Sequence, residues 1–245
     1  MAPLIVAACI IGLLVAVAAG YGLKIRAEIR RLSPAPTGLI IHGIHSIRDG
    51  HVNMYLIRHD DTYVALDAGK NYKAIERGLK EMNVRKGEIK AVFLTHSDRD
   101  HVGGLKLFES AKIYLSREED ALARGKTRRA FIFGNRIDAP YELVEDDQVV
   151  DVGNIRVRCI STPGHTPGSM SYVIDGRYLF TGDTLSLKNG YAGLFSDFFN
   201  MDSPAQIESL RRISSLPGIE YVFTAHHGYT DDYGKAFRHL AGLRS

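Results

Sequence analysis

The sequence predicts an α/β domain (α+β in some schemes) of two similar halves, carried behind one N-terminal hydrophobic helix. Three observations lead there. Residues Ala2 to Leu23 include no charged side chain. Beyond them, strand-like runs come first with helices interspersed, and the pattern then repeats. Four clusters of histidine and aspartate each fall where a strand-like run ends.

A helix over residues 2–23 rises ~1.5 Å per residue and spans roughly 30 Å, the thickness of a bilayer's hydrocarbon core. A cleaved secretory signal would open with positive side chains, and here only the α-amino group precedes the apolar run. Lys24, Arg26, Arg30 and Arg31 follow it, offset by Glu28 alone. The positive-inside tendency then keeps the rest of the chain cytoplasmic. The expectation is a single-pass membrane protein with an anchor and linker over 1–37 and a catalytic domain over 38–245. Ala8, Gly12, Ala16 and Gly20 recur every fourth residue, a spacing compatible with a homodimer through this helix. Small residues are also simply common in membrane helices. Val6-Ala7-Ala8-Cys9 lacks the preceding segment that lipoprotein cleavage requires.

Ser33-Pro34-Ala35-Pro36-Thr37-Gly38 cannot continue a helix and reads as a linker. Strands are expected at 39–47, 52–58 and 62–67, a helix at 71–83, a strand at 90–95 and a helix from 101. A strand at 112–115 and a helical stretch at 117–124 precede a cleft-shaping loop over 125–140. Strands follow at 141–144, 154–161, 169–175 and 177–181. Gly190 to Asn200, aromatic and glycine-rich, reads as loop. Ser203-Pro204-Ala205-Gln206 is a helix start, with Ser203 as cap and Gln206 reaching back. A strand at 220–225 and a helix from 231 close the chain.

The 245 residues suffice for one large domain, and 45% hydrophobic content supports a buried core. A net charge of +3 without blocks of like charge gives no nucleic-acid-binding surface. The two cysteines, Cys9 and Cys159, read as small core hydrophobes rather than a disulfide framework. Ten histidines are the unusual feature, since imidazole is the commonest ligand of catalytic metals.

Thr95-His96-Ser97-Asp98-Arg99-Asp100-His101-Val102-Gly103-Gly104 follows a buried strand and opens a helix. Four ligand-type side chains within six residues on such a turn can converge on one point. Thr162-Pro163-Gly164-His165-Thr166-Pro167-Gly168-Ser169 holds a histidine in a tight loop between strands. Thr181-Gly182-Asp183-Thr184 ends an apolar strand with a carboxylate, and Thr224-Ala225-His226-His227-Gly228 ends another with paired histidines. Any one of these could be an ordinary turn; together they indicate a metal centre.

The order of these segments resembles the metallo-β-lactamase superfamily over roughly residues 39–230. Val52-Asn53-Met54-Tyr55-Leu56-Ile57 and Leu66-Asp67-Ala68-Gly69 are similar to its opening strands. The resemblance implies a four-layer αβ/βα sandwich with the site at one edge. It implies that His96, Asp98 and His165 hold a first metal, and that Asp100, His101 and a C-terminal histidine hold a second. Asp183 would bridge them. His227, directly before glycine, is favoured over His226 as the last ligand, and Asp67 would orient the central loop from behind. The family usually has histidine where this chain has Asp98. A carboxylate there shifts preference toward iron or manganese, with zinc still the first choice, or it leaves the first position weakly held.

The resemblance further implies a hydrolase whose two divalent ions, about 3.5–4 Å apart, supply a bridging hydroxide near neutral pH, with Asp100 orienting it and shuttling its proton. The Thr162–Ser169 loop is most similar to the glyoxalase II and lactonase side, which implies an acyl ester, thioester or lactone substrate. Only 18 residues follow His227, too few for the C-terminal helical domain of glyoxalase II. Tyr191 is a candidate substrate contact; Leu194, Phe195, Phe198 and Phe199 read as core more than as an acyl-chain wall. No Ser-His-Asp arrangement is visible. Three rivals stand beside this reading: a phosphodiesterase or nuclease-like hydrolase using Arg99, Arg128 and Arg129; an iron-dependent sulfur dioxygenase with His96, His165 and Asp183 as its triad; and a non-enzymatic module. β-Lactamase activity is not implied by the family name.

Overall fold

The structure is a computed structural model that describes residues 2–129 and 136–243, without the side chains of residues 2–6, 8, 9 and 241–243. The Cys9 side chain and residues 130–135 of the loop expected over 125–140 therefore lie outside the described residues. The chain divides into two compact units, Met1–Leu32 and Ser33–Ser245.

The first unit is α1 (Ala2–Ile29), a helix uncharged through Leu23 that carries Lys24, Arg26 and Glu28 near its end. Ile11, Leu13, Val17 and Leu23 each expose more than 60% of their surface. The segment Ile10–Ile29 has the length and composition to cross a membrane, a test that a signal sequence near a chain start also passes.

The second unit begins earlier than the sequence suggests. Residues 33–37, expected as a linker, are strapped to the domain. Ala35 is buried, its N–H donates to Asn53 Oδ1 at 2.8 Å, and Asn53 Nδ2 donates back to Ala35 O at 2.8 Å. Ser46 Oγ donates to Pro36 O at 2.6 Å.

Seven strands form the first sheet in sequence order: β1 (Gly38–Ile41), β2 (Ile44–Asp49), β3 (Val52–His59), β4 (Thr62–Leu66), β5 (Ile89–Phe93), β6 (Lys112–Ser116) and β7 (Glu142–Val144). The first four are an antiparallel meander, and β4 through β7 run parallel. Parallel neighbours need crossovers; α2 (Tyr72–Glu81) supplies one, and the single turns α3 (Arg99–Val102) and α4 (Asp120–Ala123) sit on the others. The second sheet holds β8 (Val149–Val152), β9 (Ile155–Ser161), β10 (Met170–Ile174), β11 (Tyr178–Phe180), and two strands separated from these by a hairpin and a helix. The hairpin is β12 (Leu185–Lys188) and β13 (Tyr191–Leu194), the helix is α5 (Ser203–Ile213), and β14 (Tyr221–Phe223), β15 (Tyr229–Thr230) and α6 (Tyr233–Phe237) finish the element order before a 3₁₀ turn. The spatial order is β15-β14-β11-β10-β9-β8, with only β11 and β14 parallel.

Tyr55, Val64 and Phe93 of the first sheet pack against Val157, Tyr172, Phe180 and Phe223 of the second. Ile75 and Leu79 of α2 cover the outer face of the first sheet, and Leu210 and Ile213 of α5 cover that of the second. The result is the four-layer α/β sandwich that the resemblance implies.

Three local expectations need correction. Residues 39–47 form two strands rather than one, because His42 and Gly43 take positive φ of 34° and 80° and turn the chain. The stretch read as loop from Gly190 is half of a hairpin: Asn189 and Gly190, at φ of 54° and 81°, supply the turn conformation that favours Asn-Gly. α5 is capped by Asp202, which accepts from Ala205 N–H, while Ser203 Oγ donates to Asp197 and Gln206 turns into the core.

The far ends of β5, β11 and β14 and the start of β10, where the loop after β9 returns, are sewn to one another. Met170 N–H donates to Thr95 O at 2.8 Å, Thr181 N–H to Phe223 O at 2.9 Å, Ala225 N–H to Gly182 O at 3.1 Å, and Asn53 N–H to Ala225 O at 2.8 Å. The loops leaving β5, β9, β11 and β14 therefore share one edge of the sandwich.

Cys159 lies in the intersheet core, where burial pushes its thiol up to about 12. It is accordingly inert in the folded domain. Iodoacetamide at pH 8 is expected to leave Cys159 unmodified by mass spectrometry until guanidinium is added; rapid native labelling would show that β9 is not enclosed.

Candidate metal centre

Seven side chains converge at this edge: His96, Asp98 and Asp100, His101, His165, Asp183 and His226. Each arrives on a strand-end loop whose geometry is enforced. Asp98 precedes α3, so Asp100 and His101 lie within its single turn. That turn rests on the loop after β4: His101 O accepts from Ala68 N–H at 2.6 Å, and Gly103 N–H donates to Gly69 O at 2.8 Å. A Cβ at Gly103 would stand 2.0 Å from Lys70 O and one at Gly104 2.2 Å from Ala68 O, so only glycine permits this approach.

The donors form two groups around one carboxylate. Asp183 Oδ2 lies 3.3 Å from His165 Nε2 and 4.0 Å from His96 Nε2. Asp98 Oδ2 completes this first group, 3.3 Å from His165 Nε2 and 3.5 Å from His96 Nε2. Asp183 Oδ1 faces the other way, 3.4 Å from His101 Nε2 and 3.2 Å from His226 Nε2. Asp100 Oδ2 closes the second group, 3.6 Å from His226 Nε2.

His96 Nε2, His101 Nε2 and Asp183 Oδ1 are buried and make no hydrogen bond. An unsatisfied buried polar atom ordinarily costs about 1–3 kcal/mol. Here such atoms stand together with three carboxylates and four imidazoles, the donor chemistry of divalent cations. The residues fit a two-ion centre.

Partners behind the donors fix their tautomers. Asp67 Oδ2 accepts from His101 Nδ1 at 2.8 Å, and Asp67 Oδ1 from Thr95 N–H at 2.8 Å. His226 Nδ1 donates to His51 O at 2.6 Å, which aims Nε2 at Asp183. Burial disfavours charge on His101, but Asp67 and Asp183 outweigh it and raise its pKa. For His226 burial is likewise overcome, by Asp183 and then Asp100. In the first group burial prevails: with His101 it pushes His96 down to about 4, and with Arg129 it holds His165 well below the usual imidazole range. Burial would raise Asp183, but His226, His101 and His165 keep it well below an ordinary carboxyl.

The structure turns His226, rather than the expected His227, toward the other donors. His227 N–H donates to Thr224 Oγ1 at 2.9 Å, and its half-buried ring lies against Phe195, outside the donor groups. The Gly228 rule of adjacency fails because the turn closes through Thr224 N–H to Gly228 O, presenting His226 inward instead. Tyr191 is exposed on β13, its ring near His239 and the Lys235 ammonium; none of its described contacts is a donor of the centre. Of the three candidate arginines, Arg99 and Arg128 are exposed. Arg129 reaches the centre: its guanidinium pairs with Asp98 and lies 3.0 Å from His165 Nε2.

One neighbour, His51, has no signal in the sequence, and another, Phe195, does more than fill the core. His51 Nε2 lies 3.2 Å from Asp100 Oδ2 and its ring stacks on His226. It directly precedes β3 and carries no spacing signature. Phe195, read as core, is buried but packs its ring 5.4 Å from His226 and 5.3 Å from His165, walling the site.

A family model described as the metallo-beta-lactamase superfamily matches residues 47–244. The chain is 30% identical over 208 residues to the probable polyketide biosynthesis zinc-dependent hydrolase PksB of Bacillus subtilis, covering 79% of this chain and 84% of that one. It is 29% identical over 194 residues to a hydroxyacylglutathione hydrolase of Gloeobacter violaceus, covering 77% and 68%. Among solved structures, the B3 metallo-beta-lactamase BLEG-1 superposes with a TM-score of 0.66 at 26% identity, covering 82% of this chain and all of that one.

His226→Ala is expected to abolish uptake of one zinc ion per chain by metal analysis after dialysis, and His227→Ala to leave uptake unchanged. Ligation requires neutral imidazole. Because His101 and His226 hold their protons above the ordinary range, zinc affinity at the second group should fall as pH is lowered through neutrality. Competition titrations at several pH values check this.

Proposed function

Because this chain belongs to the metallo-β-lactamase superfamily, we propose that it is a metal-dependent hydrolase of an acyl ester, thioester or lactone, working through a two-zinc centre. The observation that carries the reading is Asp183, whose two oxygens each face a separate pair of histidines. Bound divalent ions supply an acidified water as nucleophile and stabilise negative charge on the substrate oxygen. The remaining work falls to the chain. Burial alone would raise Asp100, but a hydrogen bond from His51 and the charges of His101 and His226 hold it ionised. Its Oδ2, part-exposed beside His226, would orient water and take a proton that leaves with the product. Phe195 excludes bulk water beside His165 and His226. The relatives support acyl chemistry, since they include a hydrolase of hydroxyacylglutathione.

Asp98 adds a carboxylate to the first group and makes iron or manganese acceptable there. A second reading, phosphodiester hydrolysis, is favoured by one observation: Arg129 places a guanidinium beside His165, suited to a phosphate. We further propose that α1 anchors the protein as a single-pass helix with the domain cytoplasmic.

A screen of thioester, ester, lactone and phosphodiester substrates with zinc-loaded protein decides between the readings. Thioester or lactone turnover is expected, falling more than about 100-fold in Asp183→Ala, beyond what loss of an outer partner costs. Turnover of a phosphodiester alone would reverse the ranking. For the anchor, the protein should stay with membranes after alkaline carbonate extraction and become extractable when residues 1–32 are removed.

A further inference from the structure

Glu119 is fully buried and lies outside the seven donors. It ends the 3₁₀ turn Arg117–Glu119 that follows β6, a turn capped by Ser116. The spacing Ser116-Arg117-Glu118-Glu119 is that of a capping box, in which the glutamate would reach back to the serine N–H. Its carboxylate points elsewhere. Oε1 accepts from Ser97 N–H at 2.9 Å and Ser97 Oγ at 2.6 Å. Oε2 accepts from Thr166 Oγ1 at 2.7 Å and Gly168 N–H at 3.2 Å. Among the described residues no basic side chain stands within ion-pair distance of it, so these four donors carry the cost of burying the group.

The partners are not arbitrary. Ser97 sits between His96 and Asp98, and Thr166 directly follows His165. One side chain thus ties together the two loops that supply His96, Asp98 and His165, the first-group donors other than the shared Asp183. The close approach is sterically specified as well. A Cβ at Gly168 would fall 2.2 Å from Glu119 N and 2.5 Å from its Cα. The second group has separate supports, Asp67 behind His101 and the His51 carbonyl behind His226.

We infer that Glu119 is a positioning residue selective for the first metal position: it sets the separation of the 95–98 and 162–169 loops, and with it the spacing of His96, Asp98 and His165. This rests on the two-ion reading above. A glutamine at 119 keeps the shape but turns its NH₂ toward donors on one side, so it should break half of the strut.

The test titrates metal-free, full-length protein with zinc alone against a chromophoric chelator, resolving two binding steps. His165→Ala and His226→Ala identify which step belongs to which group. In Glu119→Gln and Glu119→Ala the first-group step is expected to weaken about 10–100-fold, the range for partners behind a ligand, with the second-group step unchanged. Cobalt(II) substitution should show the same selectivity in its d–d absorption. Equal weakening of both steps, or of neither, overturns the inference. If the Glu119 variants do not fold, Thr166→Val removes one donor only and should weaken the first step in the same direction; no selective shift there overturns the inference too. Wild-type protein that takes up fewer than two zinc ions fails earlier and differently, sinking the two-ion reading together with this inference.

Discussion

The structure depends on a crowd of carboxylates, Asp98, Asp100 and Asp183, gathered around the same few imidazoles. Asp100 and Asp183 both lie within 3.6 Å of one imidazole nitrogen, that of His226, and Asp98 and Asp183 share His165 in the same way. Carboxylates about 4 Å apart repel by roughly 1–4 kcal/mol per pair, depending on how well water screens them. His101 and His226 relieve part of it, since the carboxylates around them favour their protonated forms, whereas burial keeps His96 and His165 neutral. A pair of divalent cations relieves it fully. The domain's architecture can be read as the means of holding that unfavourable assembly together until the cations arrive.

Rigidity is the required property, and it is obtained with backbone rather than with side chains alone. The four donor loops are cross-linked by main-chain hydrogen bonds between residues far apart in sequence, such as Met170 with Thr95 and Ala225 with Gly182. Glycines at 103, 104 and 168 allow loops to touch where any side chain would separate them. Tyr172 and Tyr55 extend the same logic from the core, each donating its hydroxyl to a carbonyl next to a donor loop, Leu94 O and Thr224 O.

What the sequence made legible was whatever lies along the chain. His96 through His101 are visible because four ligands fall within one turn, and His165 and Asp183 because each interrupts an apolar strand end. Periodicity located most strands for the same reason. The misses are all matters of direction. Adjacency to Gly228 favours His227, but the Thr224–Gly228 turn decides which of two neighbouring rings faces inward, with the carbonyl of His51, in the turn before β3, holding His226 there. Glu119 looks like a helix cap until Ser97 and Thr166 are brought beside it. Asn189-Gly190 was the exception, a local hairpin signal passed over because aromatic residues around it suggested a loop.

One detail at the domain's edge has a mechanical meaning. Ser33 N–H donates to His226 O at 2.8 Å, so the first residue of the folded unit is bonded to the backbone of the loop that presents His226. The neighbouring Asn53 clamps Ala35 in both directions and also passes its own N–H to Ala225. Traction applied to the chain at this point would be felt within two hydrogen bonds of an imidazole in the centre. A domain trimmed back to its first strand would keep every donor and still lose the stitch that steadies one of them.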